Sequence, residues 1–117
     1  MQNFKQLDVW QKSVDMAVMV YALTNQLPDS ERFGLVSQMN RAAISVASNI
    51  AEGSSRSSEK EYRRFLEIAL GSAFELETHI FLAQKLNFLS PDATKPTEEL
   101  VKKVQMMLNG LIRKLVF

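Results

Sequence analysis

The sequence predicts an all-α protein, folded as an antiparallel up-down four-helix bundle. Apolar residues recur at three- and four-residue steps through most of the chain, the spacing of one face of an α-helix. Only four glycines and three prolines occur in 117 residues, which suits long helices better than many-turned β structure. Short polar segments separate the periodic ones, and helices joined by short loops pack most simply as antiparallel neighbours. We expect a single domain over residues 1–117.

The first helix is predicted over about residues 7–27, because Pro28 disfavours a continuing helix. At about 100° per residue its apolar side chains form two seams on nearly opposite sides. One seam holds Leu7, Trp10, Val14, Ala17 and Tyr21, and the other holds Met16, Val20, Leu23 and Leu27. A helix in a small monomer needs one apolar face, so the second seam indicates a partner chain.

The second helix is predicted over about residues 31–53, with Ser30 as N-cap and Gly53 as C-cap. Its apolar side is rich in alanine, which would allow another helix to approach closely.

The third helix is predicted over about residues 59–88, beginning with a capping box formed by Ser58 and Glu61. It is apolar almost all round, which again indicates burial by a partner chain. The fourth helix is predicted over about residues 97–116, after the proline-bounded segment SPDATKP, and carries a single apolar stripe.

Composition excludes several classes of function. Fourteen basic and 13 acidic residues give a net charge of +1, without the basic excess typical of dedicated nucleic-acid binders. No cysteine is present, so disulfides, thiol catalysis and cysteine-ligated zinc are excluded. The beginning of the chain has no signal-peptide pattern, and the longest apolar run, MAVMVYAL, is about half of a membrane span. A cytoplasmic protein is the expectation.

The sequence offers no catalytic or metal-binding constellation. The only histidine is His79, and the residue three before it is Leu76, so the Glu-x-x-His pair of bundle di-metal sites is absent. Neither a Gly-x-Ser-x-Gly elbow nor a glycine-rich phosphate loop occurs. We therefore expect no enzyme activity, no catalytic residue, no metal and no cofactor.

A polar stripe on the second helix is the strongest local signal. Arg41, Ser45, Asn49 and Glu52 fall within about 100° of one another. One interpretation is an ordinary solvated face. However, serine and asparagine are poor helix formers, and short polar groups suit tight spaces where hydrogen bonds must be specific. The second interpretation is therefore a polar network or subunit contact, with Arg41 pairing with Glu52 or with Glu75 on the third helix. A ligand or protein site is the third.

Basic residues cluster where the third helix begins. Arg56, Lys60, Arg63 and Arg64, with Tyr62 among them, are candidate nucleic-acid contacts. Acidic residues interleave with them, namely Glu59, Glu61 and Glu67. A solvated face of internal ion pairs is therefore the competing interpretation.

Taken together, these segments resemble a known family. The stretch from LDVWQKSV to NIAEGSSR, followed by FLEIALGSAFELETHIFLAQKL, is similar to the four-helix bundle family of 23S rRNA intervening-sequence proteins. The most specific pieces are ERFGL, the string NIAEG at 49–53, and ALGS at 69–72 with ELE at 75–77. The resemblance implies a bundle that assembles into a ring-like homo-oligomer, expected to be a pentamer. A similar bundle serves as the accessory protein of diversity-generating retroelements, beside a reverse transcriptase and nucleic acid.

The functional hypothesis is a non-enzymatic oligomeric scaffold or adaptor, associated with RNA or a nucleoprotein partner. The alternative is a protein–protein interaction module with no affinity for nucleic acid.

Overall fold

Four α-helices account for most of the chain in a computed structural model, which describes residues 3–115. They are α1 (Asp8–Thr24), α2 (Leu35–Ser54), α3 (Glu59–Lys85) and α4 (Pro91–Lys114). Two short 3₁₀ turns, Phe4–Gln6 and Asp29–Glu31, precede α1 and α2. No strand occurs in the described part of the chain, which agrees with the all-α prediction. Among these residues, no helix combines the length and apolar character needed to cross a membrane.

The helices pack as a bundle with α1 and α3 on a diagonal. α1 contacts α2 and α4, and α3 contacts the same two helices, with the most extensive packing between α2 and α3. Ser45 lies against Ser72, and Gly53 against Phe65, so α2 and α3 run antiparallel. The groove between α1 and α2 and the outer surface of α3 therefore lie on different sides of the molecule.

One of the two apolar seams predicted on α1, the one that includes Met16 and Val20, lies in the core. Met16 and Val20 are fully buried, together with Met39 and Ile50 of α2. Each such side chain stabilises the fold by about 1.5–3 kcal/mol through removal of apolar surface from water. The other seam, which includes Trp10, packs at the edge of the core and remains partly exposed.

Close packing of α2 on α3 explains a glycine that the sequence suggested as a C-cap. α2 continues to Ser54, and no glycine among the described residues has a positive φ. Instead, Gly53 faces α3 so closely that a Cβ atom there would lie 2.8 Å from Phe65 Cβ and 3.0 Å from Tyr62 Cδ1. Gly53 is therefore needed for the approach of the helices, and the C-cap prediction is wrong.

The starts of α2 and α4 differ from the prediction, whereas the start of α3 agrees with it. α2 begins at Leu35 with Gly34 as its N-cap, since the segment containing Ser30 forms the 3₁₀ turn instead. The N-cap predicted at Ser58 is confirmed, because its side chain accepts a hydrogen bond from the Glu61 amide at 3.1 Å.

α4 begins at residue 91 rather than 97. Ser90 caps it by accepting from the Ala93 amide at 3.1 Å, and Pro91 occupies the first helical turn, where a missing N–H costs nothing. Pro96 lies inside the helix. Helices α1 and α3 each end three residues earlier than predicted, at Thr24 and Lys85. The predicted end of the fourth helix, residue 116, lies outside the described residues.

Candidate functional site

A polar network joins α2 to α3 at the centre of the predicted stripe. Ser45 Oγ and Ser72 Oγ lie 2.9 Å apart. Asn49 Nδ2 donates to the Ser45 carbonyl oxygen at 2.8 Å and to Ser45 Oγ at 3.0 Å. All three side chains are half-buried. Short side chains are needed here because the helices approach closely, and longer ones would force them apart.

The charged members of the stripe lie outside this network. Glu52 Oε2 is 3.6 Å from Arg56 Nη2, and Glu75 Oε2 is 3.7 Å from His79 Nε2. The pairings expected between Arg41 and Glu52 or Glu75 are not formed within the chain, because each carboxylate contacts a residue one turn along its own helix. Among residues 3–115, the Arg41 side chain makes neither a hydrogen bond nor an ion pair. Its role in a subunit contact stays a prediction.

His79 carries a buried polar atom that lacks a hydrogen-bond partner in the described region. Its side chain is 15% exposed, and its Nδ1 atom is buried with no hydrogen-bond partner there. One imidazole beside one half-exposed carboxylate is too few ligands to hold a metal ion. No group of three histidine, cysteine, aspartate or glutamate residues suited to a metal occurs in the part of the chain that the structure describes.

The predicted basic cluster carries internal ion pairs. The Arg56 guanidinium, besides its contact with Glu52, lies 4.7 Å from the centre of the Phe65 ring. Arg63 Nε is 3.5 Å from Glu67 Oε2, and Lys60 and Arg64 are exposed. Such exposed pairs contribute about 0–1 kcal/mol each. The cluster therefore has the positive charge needed to bind phosphates, but nearby carboxylates partly neutralise that charge.

Tyr62, which sequence reasoning placed among these cations, has a different environment. Its side chain packs against the core. Burial raises the pKa of the Tyr62 phenol above its ordinary value, because the charged phenolate is poorly solvated there. Tyr62 therefore belongs to the α2–α3 contact more than to an open stacking platform.

A second polar network, between α3 and α4, was missed by sequence reasoning. Gln84 Nε2 donates to Thr94 Oγ1 at 2.6 Å and also to Glu98, whose carboxylate accepts from Thr94 at 2.5 Å. Further along, buried Gln105 donates to Glu77 at 2.8 Å. The network was missed because Thr94 was assigned to a loop. The pattern Ser-Pro-Asp at 90–92, a typical N-cap, first turn and acidic second position, could have placed it on a helix.

Among residues 3–115, two surfaces expose several large apolar side chains. The first is the α1–α2 groove, a space of about 330 Å³ lined chiefly by apolar side chains. Val18, 65% exposed, and Tyr21 lie on its α1 side, and Ile44 on its α2 side.

The second is the α3 outer surface, which points away from the core. It consists of four large apolar side chains of α3 and of Leu86, which directly follows the helix, all between 41% and 58% exposed; the four are Ile68, Phe74, Phe81 and Leu82. Phe81, Leu82 and Leu86 lie within about one and a half helical turns of one another, and neighbouring exposed apolar side chains of this kind mark an interaction site.

The chain was compared with known proteins. Residues 5–110 match the family model described as 23S rRNA-intervening sequence protein. A crystal structure of a protein of unknown function from the S23 ribosomal protein family of Bacteroides thetaiotaomicron shares the fold, with a TM-score of 0.84 at 23% identity. That similarity covers 91% of this chain and 99% of the other. None of the curated proteins shows significant similarity. Because the family model matches nearly the whole length of the chain, this protein belongs to the 23S rRNA-intervening sequence protein family.

Proposed function

We propose that this protein is a non-enzymatic, cytoplasmic scaffold or adaptor that assembles into a ring-like homo-oligomer and acts beside RNA or a nucleoprotein partner. The observation that carries the proposal is the pair of apolar surfaces, one in the α1–α2 groove and one on the outside of α3. The nucleoprotein setting follows from the relation to retroelement accessory proteins that the sequence led us to expect, and that relation is itself part of the proposal. The absence of an activated nucleophile or metal-ligand set from the sequence supports a role other than catalysis.

The positions of the two surfaces favour a head-to-tail assembly. α1 and α3 lie on a diagonal of the bundle, so the α1–α2 groove and the α3 outer surface face different directions. When two different patches bind each other, every copy offers one of each to its neighbours. Such a heterologous interface produces a closed ring when the rotation between copies closes.

Light scattering tests the assembly. The wild-type protein should show one mass that is a multiple of the 13.3 kDa chain. Val18→Glu and Phe81→Glu should each reduce that mass, because each buries a carboxylate in the proposed interface. Gln26→Glu, an exposed position outside both surfaces, is the matched control and should leave the mass unchanged. A 13.3 kDa monomer at all concentrations would refute the ring.

The alternative is a protein-binding module without nucleic-acid affinity, and the ion pairs of the basic cluster favour it. Glu52 and Glu67 offset the charges of Arg56 and Arg63, which weakens attraction to phosphate. A titration with structured RNA at low and at near-physiological salt separates the two. Binding that weakens steeply with salt supports the nucleoprotein role, since phosphate contacts release counterions. No binding at low salt leaves the protein-binding module.

A further inference from the structure

The connection between α1 and α2 holds a phenylalanine almost entirely in solvent. Phe33 is 88% exposed, the largest value among the exposed large apolar side chains of the described region. A phenylalanine normally gains about 1.5–3 kcal/mol from burial, so leaving one in water forgoes a substantial stabilisation. The core already closes without it, since Leu35 and Leu27 on either side of it are buried.

The backbone on both sides of Phe33 is held by hydrogen bonds. On its N-terminal side the 3₁₀ turn is closed by hydrogen bonds from the Glu31 amide to the Pro28 carbonyl oxygen at 2.9 Å and from the Arg32 amide to the Asp29 carbonyl oxygen at 3.1 Å. On its C-terminal side the Glu31 carboxylate accepts from the Leu35 amide at 3.2 Å, at the start of α2. A backbone that is already ordered loses little entropy when the residue it carries binds a partner.

The chemistry around Phe33 suits a nucleobase. The Arg32 guanidinium lies 5.4 Å from the centre of the ring and covers one face. The high exposure of the ring leaves surface for a planar group, and the exposed guanidinium beside it is a cation that can pair with a phosphate of the same strand. A protein pocket that enclosed the ring would have to desolvate that guanidinium, which is costly without a paired carboxylate. The carboxylate of Glu31 is already turned toward α2.

The α1–α2 connection, which forms a tip of the bundle and carries Arg32 and Phe33, stays accessible in the proposed assembly. The α1–α2 connection is at an end of the bundle, whereas the surfaces proposed to join copies lie along its sides. It is also at the opposite end from the α2–α3 turn, where the predicted basic cluster lies. A ring would repeat the tip once per copy, and repeated weak contacts add through multivalency.

We propose that Arg32 and Phe33 form a stacking site for unpaired bases of a single-stranded nucleic acid, with Phe33 carrying the base and Arg32 the phosphate. The site deepens the proposed nucleoprotein role and rests on it. It moves the expected contact from the basic cluster of Arg56, Lys60, Arg63 and Arg64 to the other end of the bundle.

The test measures the affinity of labelled single-stranded oligouridine and of an RNA duplex for the intact protein. Phe33→Ala should weaken oligouridine binding on the order of tenfold or more and leave duplex binding unchanged, because duplex bases are already stacked. Phe33→Tyr should retain the affinity. Arg32→Gln should lower the salt dependence of oligouridine binding by roughly 0.7 in the logarithmic slope per contacted phosphate. Arg113→Gln, which removes an exposed cation from the last turn of α4 at the opposite end of the bundle, is the control and should leave oligouridine binding unchanged.

Each other outcome overturns the inference in a distinguishable way. If wild-type protein binds oligouridine and Phe33→Ala binds it equally well, or if Phe33→Ala weakens duplex binding as much, the stacking site is wrong and the nucleoprotein role stands. If Phe33→Ala lowers the oligomeric mass, Phe33 contacts a second copy of the chain instead. If wild-type protein binds neither RNA, the nucleoprotein role fails together with the site.

Discussion

Replacement of Gly53 by alanine is predicted to lower the free energy of unfolding, whereas replacement of a helical glycine by alanine usually raises it. In a helix, alanine is more favourable than glycine by about 0.8–1.0 kcal/mol. At Gly53, however, the new Cβ would lie 2.8 Å from Phe65 Cβ. The Phe65 Cβ is attached directly to the α3 backbone, so it cannot rotate away, and the helices must separate. Overpacking of this kind costs about 1–3 kcal/mol. Gly53→Ala should therefore lower the free energy of unfolding by about 0–2 kcal/mol.

Gly110 provides the matched control on α4. A Cβ there would meet nothing within 4 Å, so Gly110→Ala should raise the free energy of unfolding by up to about 1 kcal/mol. The two variants should thus differ by about 1–3 kcal/mol, which is the cost of the contact alone. Denaturant unfolding followed by circular dichroism, at one fixed protein concentration, measures this difference. If Gly53→Ala stabilises the protein as much as Gly110→Ala does, the packing argument is refuted.

Three other predictions concern individual side chains. Alanine replacement of Ser45 and Ser72, singly and together, should show a coupling energy of about 0.5–1.5 kcal/mol, and strictly additive losses would argue against their hydrogen bond. His79→Leu should maintain or raise the free energy of unfolding because it removes the unpartnered Nδ1, so a loss above about 1 kcal/mol would contradict this. Because burial raises the pKa of Tyr62, the folded state keeps the phenol proton where the unfolded state loses it. The stabilisation that the protonated Tyr62 phenol gives to the folded state is complete below pH 10.0 and declines as the pH rises above that value. Tyr62→Phe should reduce the loss of stability on alkaline titration, and an unchanged titration would reject the assignment.

The sequence predicted the four helices from the recurrence of apolar residues, including two apolar seams on α1. The seam of Met16 and Val20 has the spacing of a core stripe, and the structure buries it. The cap at Ser58 could also be predicted, because the serine and the amide it accepts from are three residues apart. Local physics is sufficient in both cases.

Features that depend on neighbouring helices could not be predicted. The role of Gly53 depends on how closely α3 approaches, which no local pattern encodes. Similarly, Ser45 and Ser72 join α2 to α3 because the register of the two helices brings these hydroxyls together, whereas charge alone had pointed to a contact between Arg41 and Glu75. The start of α4 was misplaced because Pro96 was read as a helix boundary although the helix includes it. The exposure of Phe33 likewise depends on the way α1 and α2 meet, and the residues around it in the sequence gave no indication of it.

The most direct test of the head-to-tail ring is the light-scattering mass of an equimolar mixture of Val18→Glu and Phe81→Glu proteins. Each variant keeps one surface intact, so alone it should remain a 13.3 kDa monomer. Mixed, the intact α3 outer surface of one should bind the intact α1–α2 groove of the other, giving a dimer of twice that mass. A mixture that stays monomeric, or a variant that dimerises on its own, would contradict the account.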